Sequence, residues 1–229
     1  KSSFGYIDCD AALTHIDPEN NITTGAISIS NISGAVGSYS LSWSNGSTSS
    51  NISNLQANTY LLTITDNLGG VEQREFKIGY LTKWVNVSGY SYTSSLNSIS
   101  KVTGGNNWND GVAISANKLN ANNEGSVKYA VENITDSKIR FFGLSNYNTT
   151  SGYPSIKYSI ETYNDDVYII ESGNFNHSQP DILQIGDELE VERGNGTVYY
   201  SRIRNGKKWT FYQTTYSVMM AEELYVDMN

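Results

Sequence analysis

Between residues 108 and 212 the chain repeats one pattern: alternating apolar and polar residues for a few positions, then glycine, asparagine or aspartate, then alternation again. A period of two is what a β-strand requires, because successive side chains leave opposite faces of the pleated backbone. In residues 155–163 the apolar side chains Ile156, Tyr158 and Ile160 recur at every second position. In residues 186–193, Leu189 and Val191 alternate with Glu188, Glu190 and Glu192, which predicts one buried face and one solvated, like-charged face that discourages pairing with other chains. The segment Arg193-Gly-Asn-Gly196 then supplies residues that tolerate positive φ. Residues 197–203 resume the alternation, Arg204-Asn-Gly206 turns again, and residues 209–212 run on. Three strands joined by tight turns predict an antiparallel meander.

At 229 residues the chain has room for two modest domains or one large sandwich. Its hydrophobic share of 38% and charged share of 17% are both low, and Ser, Thr, Asn, Gly and 17 Tyr fill the difference. That composition suits short strands with many turns. Disorder is disfavoured, because 12% aromatic residues at strand positions can bury a core. A formal charge of −8 with scattered Lys and Arg argues against nucleic-acid binding. Cys9 stands alone, which rules out an internal disulfide; it reads as a spare thiol near a frayed end, the alternative being a thiol that pairs with another chain, and two His do not make a zinc constellation. No apolar run approaches the length of a membrane span, and the opening residues do not read as a signal peptide, so the expectation is a mature chain, a fragment of something longer, or an intracellular protein.

Residues 1–24 contain Asp17-Pro18 and little periodicity, which predicts a linker or the end of a preceding module, with a short strand near residues 11–16. From Gly25 onward, alternation at 26–32, 38–43, 59–65 and 71–78, with Ile52 and Leu55 between, describes five short strands of a small sandwich. The order Gly25-Ala-Ile-Ser-Ile29, Gly34 to Tyr39, Trp43-Ser-Asn-Gly46, Ile52-Ser-Asn-Leu55, Thr59-Tyr60 and Thr63-Ile-Thr-Asp66 resembles an SprB-type repeat. That family implies an immunoglobulin-like spacer of large secreted bacterial adhesins. The chain departs from its pattern in having Gly34-Ala35 where the family has Gly-Gly, and Gly69-Gly70 where it has Gly-Cys.

Residues 79–82 are the expected junction. Beyond it, Trp84-Val85, Trp108-Asn-Asp-Gly111, Gly125-Ser-Val127, Phe142-Gly-Leu-Ser145, Ile156-Lys-Tyr158, Gly186-Asp187, Val198-Tyr199, Arg204-Asn-Gly206 and Leu224-Tyr-Val-Asp227 fall in the order of a concanavalin-like jelly roll. They resemble the non-catalytic lectin-like modules of large bacterial surface proteins and of large-virus structural proteins. The expected fold is therefore all-β: a linker at 1–24, an immunoglobulin-like sandwich at 25–79 and a larger antiparallel jelly-roll sandwich at 80–229. The expected setting is extracellular, at a cell or virion surface.

Catalysis needs a nucleophile, a base and an orienting group, and the only histidines are His15, in the expected linker, and His177, in the expected loop 174–180. Both read as solvent-facing, so no enzyme activity is expected. Glu188, Glu190 and Glu192 on one strand do not oppose one another as the two carboxylates of a glycosidase must. Asp165 and Asp166 in Asn164-Asp-Asp166 are the acidic pair available to Ca²⁺, but without Asp-x-Asp spacing the segment reads as a turn, and no cofactor is expected. Binding fits better. Aromatic faces stack on sugar C–H patches beside amide groups that satisfy hydroxyls, and the candidates are Tyr147, Tyr153, Phe175 and Asn176, with Trp108 and Asn109 near a turn. For Trp108 and the tyrosines, packing inside a sheet is the competing reading. The expected partners are glycans or neighbouring surface and structural proteins. Asn-x-Ser/Thr sequons recur along the chain, Asn133 and Asn176 among them, as suits a surface location.

Overall fold

The computed structural model describes residues 6–17, 22–93, 98–101, 111–135, 137–146, 156–180, 182–215 and 222–228. Among them there are strands and turns and no helix, and the sheets are built from antiparallel ladders, while the isolated bridge Ile16↔Tyr80 is parallel. The chain is thus all-β, as its alternation predicts. It divides into two compact units. The first holds residues 1–81 with 205–208, and the second holds 82–204 with 209–229.

In the first unit, β1 (Asp8–Thr14), β2 (Gly25–Ser33) and β4 (Asn51–Leu55) form one three-stranded sheet. A second is made by β3 (Tyr39–Trp43), β5 (Asn58–Asp66) and β6 (Val71–Ile78), in the order β3-β5-β6. Alternation places the core: Tyr60, Leu62 and Ile64 of β5 are buried, as are Phe76 and Ile78 of β6, and they pack with Ile27, Ile29 and Ile52 from the other sheet. Trp43 lies 5.8 Å from the Phe76 ring centroid, and its Nε1 donates to the Ser49 carbonyl at 2.8 Å. The turn after β5 is organised by the Asp66 carboxylate, which accepts from the backbone N–H groups of Val36 (3.1 Å), Leu68 (2.9 Å) and Gly70 (2.7 Å).

Residues 8–14, in the segment read as a linker or the end of a preceding module with a short strand near residues 11–16, form β1, which overlaps that expected strand. They pair along β2 from Asp8↔Ser33 to Thr14↔Ala26, because Cys9, Ala11 and Leu13 supply the same period-two apolar stripe as the later strands. The Cys9 thiol is correspondingly not near a frayed end: it is 2% exposed within the core, and burial raises its pKa.

In the second unit a seven-stranded sheet runs in the order β15 (Asn174–Gln179), β14 (Asp166–Glu171), β13 (Tyr158–Tyr163), β12 (Arg140–Ser145), β19 (Leu224–Met228), β10 (Val112–Leu119), β7 (Trp84–Ser88). A four-stranded sheet runs β11 (Gly125–Ala130), β16 (Glu188–Gly194), β17 (Thr197–Arg204), β18 (Lys207–Thr215), and β8 (Tyr90–Thr93) pairs with β9 (Ser98–Lys101). Phe142, Leu144, Ile160 and Ile169 from the large sheet share one core with Val127, Leu189, Val191 and Tyr200 from the smaller. The β16–β17–β18 meander turns where the sequence predicts: Asn195 and Gly196 have φ of 52° and 70°, and Asn205 and Gly206 have 50° and 72°, a mirror-image turn that matches strand twist.

Burial does not follow simple alternation everywhere. β12 reads as buried from Phe141 to Ser145, because the sheet is covered on both faces at this central strand; Phe141, Ile156 and Ile170 form a second, smaller cluster. The glutamate face of β16 is likewise not simply solvated. Glu190 is fully buried, and Glu188 is ion-paired to Lys128 at 2.9 Å on the neighbouring strand.

Candidate functional site

β14 and β15 form a hairpin at the end of the seven-stranded sheet, closed by Ser172-Gly173 with φ of 49° and 78°. Its register runs Ile169↔His177 and then Ile170↔Phe175, so Asn176 is an extra residue in the edge strand. Such a bulge locally breaks the ladder and re-aims side chains. Phe175 and Asn176 consequently serve different surroundings. Phe175, 63% exposed, lies 6.5 Å from the Tyr168 ring, whereas Asn176 and His177 both reach Tyr212 of β18.

Around Tyr212 a polar and aromatic rim assembles from both sheets. His177 and Tyr212 stack with ring centroids 5.3 Å apart and planes inclined by 15°; Tyr200 of β17 lies 5.7 Å from Tyr212. The fully buried Tyr200 donates its hydroxyl to Glu171 Oε1 at 2.7 Å. Asn176 Nδ2 donates to Glu171 Oε2 at 2.7 Å and, at 3.4 Å, to the Tyr212 hydroxyl. His177 Nε2 sits 2.8 Å from Gln179 Nε2; an amide nitrogen only donates, so the ring nitrogen accepts. Asn176 is exposed while Glu171, His177 and Tyr212 are half-buried, so the rim is open on one side and fixed from behind.

Of the sequence-predicted binding residues, Asn176 belongs to this rim and Phe175 projects beside Tyr168, while Tyr147 and Tyr153, like Trp108 and Asn109, lie outside the described residues. Asp165 sits in the β13–β14 turn after Asn164 (φ 53°), where its carbonyl accepts from the N–H groups of Ile182 (3.0 Å) and Leu183 (3.1 Å). Asp166 Oδ2 accepts from the Tyr168 hydroxyl at 3.2 Å. Among the described residues no three His, Cys, Asp or Glu side chains gather as a metal site would require.

His177 corrects the sequence reading of a solvent-facing loop residue: it lies in β15 with its ring stacked. His15 is also half-buried, with Nδ1 accepting from the Gly79 N–H at 3.2 Å. Glu171, Tyr200 and Tyr212 were not singled out from the sequence. They sit inside ordinary strand alternation, 29 positions apart for Glu171 and Tyr200 and 36 for Asn176 and Tyr212, and only sheet-on-sheet packing joins them.

No family model matches this chain, and no curated protein matches it. Other charged clusters have structural work to do. Arg204 grips Asp187, itself 1% exposed, at 2.6 and 2.7 Å, and Arg193 donates to the carbonyls of Asn120, Asn123 and Glu222 at 2.7 to 3.1 Å.

Proposed function

We propose that this chain is a non-catalytic module of a large surface protein of a cell or virion, with the first unit as an immunoglobulin-like spacer and the second as a jelly-roll adhesive domain. The carrying observation is the rim at Tyr212, where an exposed amide and half-buried rings are preset by hydrogen bonds from β14 and β17, an arrangement suited to holding a ligand rather than to moving protons. A spacer role is supported by the first unit's self-contained core, which lets such a unit be strung in series without loss of stability.

A second reading, a carbohydrate-binding module, is favoured by the rim's composition: aromatic rings, a carboxamide and hydroxyls are the groups that satisfy a polyhydroxylated ring. The test is to apply the whole purified chain to a broad glycan array, with and without Ca²⁺, beside a Tyr212→Ala variant. Binding that disappears in the variant identifies a carbohydrate module and its site. A Ca²⁺ requirement would bring Asp165 and Asp166 into the site. A blank array under both conditions supports the spacer and adhesive reading, with protein neighbours as partners.

A further inference from the structure

We propose that Glu171 sets ligand choice at the rim, by turning the Asn176 amide so that the site accepts hydroxyl donors from neutral sugars and turns away acidic ones. This rests on the carbohydrate reading above.

An ionised carboxylate accepts hydrogen bonds and donates none. The group 2.7 Å from Glu171 Oε2 must therefore be the NH₂ end of Asn176, whichever way the amide is drawn. The other carboxylate oxygen is held at 2.7 Å by the hydroxyl of Tyr200, a side chain with no exposure, so Glu171 cannot swing away to release the amide. The same Nδ2 also points at the Tyr212 hydroxyl oxygen, at 3.4 Å. Both hydrogens of the amide are then engaged inside the protein, and Oδ1 is its remaining polar atom. Tyr212, accepting on its oxygen, keeps its own hydrogen to donate.

The exposed edge therefore presents an acceptor, Asn176 Oδ1, beside a donor, the Tyr212 O–H. A vicinal pair of sugar hydroxyls offers the matching donor and acceptor. A carboxylate or sulfate offers acceptors only, so it would leave Oδ1 unmatched and would approach Glu171 in a chain whose net charge is already −8. The bulge at Asn176 argues against the other common use of a sheet edge, addition of a peptide strand, because the ladder is broken at that residue.

The test uses the whole chain and four immobilised polymers: mannan and dextran as neutral probes, polygalacturonate and heparin as acidic ones. The parent is expected to bind at least one neutral polymer and neither acidic one. Glu171→Gln keeps the shape but offers an NH₂ group, so the Asn176 amide reverses; neutral binding should fall about tenfold, one lost matched hydrogen bond, and acidic binding should rise relative to it. Tyr200→Phe frees Glu171 from behind and should move both signals in the same direction by less, which keeps the test usable if Glu171→Gln folds poorly. Unchanged neutral binding in both variants, or a parent that prefers the acidic polymers, overturns the inference while leaving carbohydrate binding intact. A parent that binds none of the four, and nothing on the array, removes the carbohydrate reading and this inference with it.

Discussion

Two aspartates, one in each unit, are buried by opposite means. In the first unit Asp66 accepts three backbone N–H groups in the turn that follows β5, and these hold its pKa below the usual carboxylate value, led by the Val36 N–H. In the second unit Asp227, 2% exposed, lies on β19 in the interior of the seven-stranded sheet, between Ile114 of β10 and Gly143 of β12. It accepts from Ser145 and from the Met228 N–H, its Oδ2 has no hydrogen-bond partner, and burial pushes its pKa up to about 7. The lesson is that burial alone does not decide the state of a carboxyl group. Enough convergent donors keep it ionised, and too few make the neutral acid the stable form.

The two carboxyl groups make stability depend on pH with opposite signs. Asp66 binds its proton more weakly folded than unfolded, so its contribution is present above about pH 4 and is lost as pH falls through its lowered value. Asp227 binds its proton more tightly folded than unfolded, so the second unit loses stability as pH rises from about 4 to about 7 and then levels off.

The largest effect should come from the first unit's core. Trp43→Ala removes a 3%-exposed side chain together with its contact to Phe76 and its hydrogen bond to Ser49, and should cost about 3–5 kcal/mol. Calorimetry of the whole chain should show the first unit's transition dropping while the second unit's stays in place; a shift of both together would make the two units one cooperative body. Next, Asp227→Asn removes the ionisation without changing shape. It should stabilise the second unit at pH 8 by up to about 4 kcal/mol, the linkage equivalent of a rise of about three pKa units, and by almost nothing at pH 4. Urea unfolding at the two pH values checks this, and an equal effect at both would show that Asp227 titrates normally. A smaller change is expected for Asp66→Ala, which should lower the first unit's midpoint at pH 7 and abolish its loss of stability below about pH 4, measured by circular dichroism across an acid series. The smallest is Phe175→Ala: a ring 63% exposed should change unfolding by less than about 0.5 kcal/mol, so any loss of ligand retention in that variant reports binding and not folding.

Much of the fold was legible in the chain. Alternation at 59–65 marks β5 with its buried Tyr60, Leu62 and Ile64, and the Asn-Gly pairs at 195–196 and 205–206 mark the turns of the meander. The candidate site was half legible. Asn176 could be named from its residue type, but Glu171 and Tyr200 look like ordinary strand residues until β14 and β17 meet.

What the sequence by itself determined is local: where strands run, which turns accept positive φ, and which alternate side chains are apolar, because these depend on neighbours two to four positions away. What only the tertiary structure decided is which strands pair and which polar side chains end up covered. β1 takes β2 as its partner, β19 inserts between β12 and β10, and Glu190 and Asp227 lose their solvent. The physical reason is that desolvation and hydrogen-bond partners come from residues far along the chain, and no pattern within one strand records what will be laid against it.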